Sequence, residues 1–119
     1  MVSDRRVSGD AGEACARQHL ERAGLRTLAQ NWRCRLGELD LVMLEADTVV
    51  FVEVRYRKHA AWGGALASVD ARKQAKLVRA AQAFLANHVR YRDCPCRFDV
   101  VALDGSAPAV DWIRNAFDA

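Results

Sequence analysis

Four charged side chains interrupt two consecutive apolar runs in the first half of the sequence. Glu38 and Asp40 lie in the first run, and Glu53 and Arg55 lie in the second. Because side chains alternate along a strand, a hairpin with a two- or four-residue loop around residues 46–47 places Asp40 opposite Glu53 and Glu38 opposite Arg55. A three-residue loop would instead put Asp40 and Glu53 on opposite faces of the hairpin.

Two carboxylates that face each other across neighbouring strands destabilise a sheet unless something neutralises them. A raised pKa, the nearby Arg55 or a divalent cation could do so. Mg²⁺ binds well to a couple of carboxylates together with water and substrate phosphates. The alternative is a solvated hairpin end, with Glu38 and Arg55 forming an ordinary surface salt bridge. The pattern therefore leaves open a cation site and a solvated surface.

Glu13 and Lys73 occupy comparable positions on two predicted helices. Glu13 lies at helical spacing from Leu20, on a stripe that should pack on the sheet. It is also three residues after Asp10, as in a capping box that begins a helix, and the two roles are compatible. Lys73 lies one turn before Leu77 on the inner stripe of the second helix, where lysine either extends to solvent or reaches a phosphate.

The elements that must position these residues follow from periodicity and from turn residues. We expect the order helix, three strands, helix, strand, which favours a mixed sheet flanked by helices. The expected bounds are a helix from Asp10 to Gly24, strands at 25–32, 36–44 and 48–56, a glycine-containing loop at 58–64, a helix from Val69 to about His88, and a strand at 97–103. Residues 109–117 fit either a short strand or a last helical turn.

Length and composition are those of one globular domain. The chain has 119 residues, of which 51% are hydrophobic, and a formal net charge of +3. We expect a polar, disordered tail at residues 1–8 and a single domain at residues 9–119. No apolar run approaches the ~20 residues of a membrane helix, and the N-terminus lacks the apolar core of a secretory signal. The expected location is cytoplasmic, without a membrane partner.

The four cysteines do not predict a metal or redox site. Cys15, Cys34, Cys94 and Cys96 form no CxxC pair, and His88 is the only imidazole near the last two. Reduced thiols in a cytoplasmic protein are the expected state.

Several short motifs occur together, in one order, over nearly the whole chain. In this order and at these spacings they are characteristic of the YraN-like family, a group of small bacterial proteins that this chain resembles. That family is similar to nucleases of the restriction-endonuclease-like, PD-(D/E)xK superfamily, and nearest in pattern to Holliday-junction resolvases. The motifs are Gly12-Glu13, Asn31-Trp-Arg33, Gly37-Glu-Leu-Asp40, Val50-Phe-Val-Glu-Val-Arg55, Val69 with Lys73, and Arg97-Phe-Asp-Val-Val101.

The resemblance implies an α/β, three-layer fold with a central mixed β-sheet flanked by helices. It also implies a phosphodiester-cleaving site with an acid on the first helix, an aspartate on the second strand and ExK on the third. These positions fall on Glu13, Asp40, Glu53 and Arg55. The implied cofactor is Mg²⁺ or Mn²⁺, held by Asp40, Glu53 and the carbonyl of Val54, with Glu13 as a further ligand or water-orienting group.

Arg55 is a departure from the superfamily, whose third-strand motif ends in lysine. An arginine stays charged, so it can hold a phosphate bidentately but cannot act as a general base. Three outcomes remain open. The cation chemistry suffices without the lysine, Lys73 supplies the missing ammonium group, or cleavage has been lost.

Basic residues on either side of the glycine-containing loop could surround a nucleic-acid groove. The expected contacts are Arg57, Lys58, Arg72 and Lys76, with Arg79 further along the helix. Trp62 could either stack on a base or pack on its own domain. The partner implied is nucleic acid, with DNA as the expected kind and branched DNA as one form it could take. Two alternatives to catalysis remain: a nucleic-acid-binding module without hydrolysis, and an interaction or scaffold role. The resemblance to resolvases also allows a homodimer.

Overall fold

The computed structural model describes the backbone of residues 4–57, 69–104 and 110–119, and the side chains of residues 11–56, 69–103 and 110–119. Within these ranges, two α-helices and five strands alternate in the order helix, three strands, helix, two strands. The elements are α1 (Asp4–Arg22), β1 (Arg26–Cys34), β2 (Gly37–Glu45), β3 (Thr48–Arg57), α2 (Ala71–Asn87), β4 (Cys96–Asp104) and β5 (Val110–Phe117).

The strands form a single mixed sheet in the order β1-β2-β3-β4-β5. β3 and β4 are parallel and are connected through α2, and the other neighbouring pairs are antiparallel. α1 and α2 pack on separate apolar clusters of this sheet. The expected α/β, restriction-endonuclease-like architecture, with a central mixed sheet between helices, is therefore confirmed.

α1 covers one side of the sheet. Ala16 and Leu20 are fully buried and pack with residues of β2, β3 and β4. The helix ends at the predicted Gly24, which has a φ of 101°. The N–H of Leu25 donates to the carbonyl of Leu20, and the N–H of Gly24 donates to the carbonyl of Glu21. These two bonds form a Schellman motif, which explains the glycine. The α1-side cluster contains Ala16, Leu20, Leu25, Leu41, Met43, Val50, Val52, Val101 and Leu103.

α2 covers the other side. The Asp70 carboxylate accepts the backbone N–H of Lys73 at 2.9 Å and so caps the helix. Phe84 is buried and packs edge-on against Phe51 and Trp32. The α2-side cluster contains Leu39, Val42, Val49, Phe51, Val69, Leu77, Ala80, Ala81, Phe84, Phe98, Val100 and Ala102.

The start of α1 differs from the sequence prediction. The helix begins at Asp4, so Asp10 lies in its interior and is not the N-cap. The expected capping box between Asp10 and Glu13 is therefore wrong, since an interior residue has no free helix end to cap. α1 also includes part of the stretch expected to be a tail, but residues 1–3 and the side chains of residues 4–10 lie outside the described part of the chain.

The predicted hairpin register is confirmed near the turn. Leu44 pairs with Val49 and Val42 pairs with Phe51. Two residues connect the strands, and the first, Ala46, adopts a φ of 55°. The two-residue loop accounts for this register, because one additional loop residue would move the side chains of one strand to the opposite face of the sheet.

The same register fails at the far end of the hairpin. The β2–β3 ladder stops at Leu41 and Val52. Neither of the two expected pairs beyond this point, Asp40 with Glu53 or Glu38 with Arg55, belongs to the ladder. Glu38 has a different partner. It lies opposite Arg33 in β1 and is 3.4 Å from it in a surface salt bridge. The outer strand β1 continues to hold this end of β2, so β2 separates from β3.

β5 resolves the ambiguity about the C-terminal residues in favour of a strand. Its pairing with β4 shifts between Phe98 and Val100, and Asn115 in the shifted segment has a φ of 49°. The Asp99 carboxylate, which is fully buried, accepts the N–H of Asn115 at 2.9 Å. It therefore satisfies the backbone group that the irregular pairing leaves without a ladder partner.

Asp99 also anchors a polar network between three strands. Its carboxylate accepts hydrogen bonds from Nε and Nη2 of Arg97. It also accepts one from the indole N–H of Trp112, with 2.9 Å between the indole nitrogen and Oδ2. Arg97 in turn donates to Glu45 at 2.7 Å, and Arg114 reaches the same carboxylate. Asp99 therefore has a structural role, joining β4 to β5 directly and to β2 through Arg97.

None of the helices within the described ranges is both long enough and apolar enough to cross a membrane.

Candidate functional site

The candidate site lies where β2 and β3 part. Strict alternation predicts that Leu39 and Leu41 share a side, yet Leu39 packs in the α2-side cluster and Leu41 in the α1-side cluster. The alternation therefore breaks at Asp40. Here the Asp40 carboxylate replaces a strand partner, because its Oδ2 accepts the backbone N–H of Val54 at 2.9 Å. Asp40 thus binds β3 through its side chain and keeps the strands together where the ladder has ended.

A pocket of about 200 Å³ opens at this position. Residues from four elements line it, so both helices and both hairpin strands contribute. The lining residues are Glu13, Asp40, Glu53, Val54, Arg55, Tyr56 and Lys73. The structure thus brings together all five residues that the sequence assigned to catalysis. Their catalytic roles stay predictions.

Glu53 is the most buried charged group of the pocket, with a relative exposure of 5%. Burial, a hydrogen bond with Asp40 and the negative charge of Asp40 raise the pKa of Glu53 to about 8, against the opposing charges of Lys73 and Arg55. The cations do not dominate because both ion pairs are long and both side chains remain partly in water. Glu53 therefore keeps its proton well above the ordinary range of a glutamic acid.

Two cations converge on one oxygen of Glu53. Arg55 Nη2 and Lys73 Nζ each lie 3.4 Å from Glu53 Oε2. Their side chains are 30% and 38% exposed, respectively. The Nε of Arg55 is buried and makes no hydrogen bond among the described residues. The exposed 30% of the Arg55 side chain, and not this buried nitrogen, is the part that an anion in the pocket can reach.

Glu13 lines the pocket from α1. Within the described ranges, no group of three or more His, Cys, Asp or Glu side chains is arranged to hold a metal ion. Glu13 therefore does not complete a three-acid cage with Asp40 and Glu53. A cation in this pocket would depend on the two facing carboxylates and on backbone or water oxygens, which is a set that Mg²⁺ and Mn²⁺ accept.

Tyr56 is a pocket residue that the sequence reasoning missed. Its ring packs on Gly12 of α1, where a Cβ would lie 2.3 Å from the Tyr56 hydroxyl. Only glycine leaves room for the ring at this point. The sequence could have predicted the position of Tyr56. Alternation along β3 places it on the same side as Val54, which packs against the α1-side cluster.

The predicted nucleic-acid contacts are only partly visible. Arg72 and Lys76 are exposed on α2, and Arg79 is exposed on the same helix. Lys58 and Trp62 lie outside the described residues, and so does the side chain of Arg57. One turn of α2 therefore carries Lys73 in the pocket and Arg72 and Lys76 on the adjoining surface.

The cysteines and His88 form no metal site in the described chain. All four thiols are free, and Cys15 and Cys96 are exposed. His88 stacks on Phe84 with ring centroids 3.9 Å apart, and its Nδ1 bonds to the Phe84 carbonyl. This histidine ends α2 and belongs to its packing.

Comparison with known proteins places the chain in a family. The profile of UPF0102, described as an uncharacterised protein family, matches residues 12–103. A UPF0102 protein of Stutzerimonas stutzeri is 62% identical over 99% of this chain and 100% of its own length. A UPF0102 protein of Ectopseudomonas mendocina is 66% identical, and one of Pseudomonas aeruginosa is 57% identical. Each of these two matches also covers 99% of this chain and 100% of the relative's own length. The chain therefore belongs to UPF0102, the YraN-like family of the PD-(D/E)xK superfamily.

Proposed function

We propose that this protein hydrolyses phosphodiester bonds of nucleic acid with the help of Mg²⁺ or Mn²⁺. One observation carries the proposal: Asp40, Glu53, Arg55 and Lys73 line one pocket, with both acids together and both cations on the same carboxylate oxygen. The two acids would be stabilised by a metal cation, and the two basic side chains beside them could bind a phosphate group.

Asp40, Glu53 and the carbonyl of Val54 would hold the divalent cation, with Glu13 at the edge of the pocket. The donor set fits, because a divalent cation would compensate two adjacent carboxyl groups and displace the proton that burial and Asp40 favour on Glu53. A bound Mg²⁺ or Mn²⁺ supplies a water of lowered pKa and neutralises charge on a phosphate oxygen.

The chain's own cations orient and neutralise the phosphate. Arg55 is partly exposed and offers a planar guanidinium that matches two phosphate oxygens. Lys73 is held at the pocket by the N-terminal turn of α2 and supplies the ammonium group that the superfamily pattern places at position 55. Arg55 keeps its charge at all relevant pH values, so it stabilises negative charge and takes no part in proton transfer.

Replacing Asp40 with asparagine tests the proposal directly. We expect loss of Mn²⁺-dependent cleavage of branched and linear DNA, because one charge of the acid pair disappears while the size of the side chain is kept. The matched control is Asp47→Asn, which changes an exposed aspartate in the turn of the same hairpin. Equal cleavage by Asp40→Asn and the parent would rule out this pocket as the active site.

A second function, nucleic-acid binding without hydrolysis, is favoured by the exposed cations of α2. Arg72, Lys76 and Arg79 follow one another at helical spacing beside Lys73. A phosphate backbone could follow this row towards the pocket. Nucleic acid as a partner, and a homodimer of the kind that resolvases form, stay predictions that gel shift and light scattering would address.

The double change Arg72→Gln/Lys76→Gln is expected to weaken binding of duplex DNA and to reduce its dependence on salt. Loss of two phosphate contacts lowers the slope of log K against log salt by about 1.8. The slope is measured by fluorescence anisotropy at several salt concentrations. Arg90→Gln/Arg92→Gln serves as the control, because these arginines are exposed beyond the other end of α2. An unchanged slope in the first variant would exclude this face as the phosphate path.

A further inference from the structure

An aromatic ring forms part of the pocket wall on the side opposite Lys73. Tyr56 lines the same pocket as Arg55 and Lys73, and 46% of its surface remains exposed. Arg55 and Tyr56 are consecutive on β3, so their side chains leave opposite sides of the strand. The pocket thus has cations on the α2 side and an accessible ring on the α1 side.

The position of this ring is set by the absence of a side chain on α1. Gly12 is buried, and a Cβ there would lie 2.6 Å from two ring carbons of Tyr56. Glycine in a helix interior is unfavourable relative to alanine. An alanine here would require the Tyr56 ring to move, so Gly12 allows the ring its present position.

We propose that Tyr56 stacks on an unpaired nucleobase adjacent to the phosphate that Arg55 and Lys73 hold. The inference rests on the proposed function and deepens it by naming the substrate class: nucleic acid with an unpaired nucleotide at the site, such as a single strand or a flap. A base inside a duplex is already stacked on its neighbours and cannot present its face to the ring. Base–aromatic stacking tolerates any sequence, because every base has a π-face.

A stacking role and a hydrogen-bonding role for Tyr56 predict different effects of substitution on binding. Tyr56→Phe removes only the hydroxyl group, whereas Tyr56→Leu removes the ring and keeps an apolar side chain. If stacking is the role, Tyr56→Phe binds like the parent protein. Tyr56→Leu then loses about 5- to 150-fold in affinity for a single strand, from the range for one stacked base. Affinity for a duplex is expected to stay within about twofold, because the phosphate contacts remain.

The experiment measures equilibrium binding in EDTA, so that cleavage plays no part. The probes are a 12-nucleotide single strand with a central 2-aminopurine and the corresponding duplex. Gly12→Ala is a second variant that displaces the ring without removing it, and it should lose single-strand affinity as Tyr56→Leu does. Urea midpoints of all variants establish that they are folded.

The outcomes separate the two levels of the proposal. A parent protein that binds neither probe at low salt overturns nucleic-acid binding and stacking together. If the parent binds but Tyr56→Leu affects both probes equally, or affects neither, stacking alone is overturned. The same holds if Tyr56→Phe loses as much as Tyr56→Leu, because the hydroxyl group would then carry the contact. Selective loss with Tyr56→Leu and Gly12→Ala, and none with Tyr56→Phe, supports it.

Discussion

Glu53→Gln is expected to stabilise the metal-free protein at about pH 8 and above, by on the order of 4 kcal/mol. The pKa of Glu53 is raised from 4.5 to about 8, chiefly by burial and by the hydrogen bond and charge of Asp40. Glutamine has the shape of the protonated acid and can donate to Asp40 in the same way, but it never has to lose a proton inside the pocket.

The sign of the pH dependence follows from the protons bound by each state. Below about pH 4.5 the folded and unfolded chains both carry the Glu53 proton, so its contribution to stability is fully present. Between 4.5 and about 8 only the folded chain keeps it, so stability falls as pH rises. Glu53→Gln should therefore match the parent near pH 4.5 and exceed it increasingly towards pH 8.

Urea unfolding in EDTA at several pH values measures this difference. Glu45→Gln is the matched control. The pKa of Glu45, a glutamate in β2, is lowered chiefly by its hydrogen bond with Arg97 and also by Arg114, and partial burial opposes this shift without cancelling it. That variant should lose stability above about pH 4.5 and gain none as pH rises. Parallel pH profiles of the parent and Glu53→Gln would show that Glu53 is ionised at neutral pH. Added Mn²⁺ should stabilise the parent at pH 8 and have little effect on Glu53→Gln, if the proposed cation site exists.

Asp99→Ala should destabilise the protein by about 3–5 kcal/mol, which is the range for breaking a buried ion pair from one side. The Asp99 carboxylate is fully buried and accepts hydrogen bonds from Arg97, Trp112 and the backbone of Asn115. Its removal leaves these donors without that partner and also leaves a cavity. Arg97 is only 18% exposed, so water compensates little of the loss.

Circular dichroism in urea at low temperature measures the loss without depending on Trp112 fluorescence. Asp118→Ala, an exposed acid after β5, is the control and should change stability by less than about 0.5 kcal/mol. If Asp99→Ala unfolds the chain, Asp99→Asn provides a milder variant that keeps one acceptor oxygen. A cost below about 1 kcal/mol for both would mean that the network contributes little net stability.

Much of the site was predictable because its determinants are local. The alternation of apolar residues in β2 and β3, with two residues between them, places Leu44 opposite Val49 and sets the register as far as Leu41 and Val52, next to Asp40 and Glu53. The helical spacing of α2 places Lys73 one turn before Leu77, which is buried on the sheet. These relations depend only on repeat length and on apolar burial, both of which can be read from neighbouring residues.

Other features depend on contacts between distant parts of the chain. Glu38 pairs with Arg33 and not with Arg55, because β1 holds the end of β2 after β3 has separated from it. Gly12 and Tyr56 belong to elements far apart in sequence, so nothing local shows that one leaves space for the other. Arg97 reaches Glu45 across 52 residues for the same reason.

The sequence by itself determined most of the elements, the register at the turn and the acidic and basic residues that line the pocket. Only the tertiary structure decided where the hairpin opens, that Glu53 is buried deeply enough to retain a proton, and that Tyr56 completes the pocket. The physical reason is that periodicity sets which side of an element a residue faces, whereas burial and the electric field at a group depend on every element packed around it.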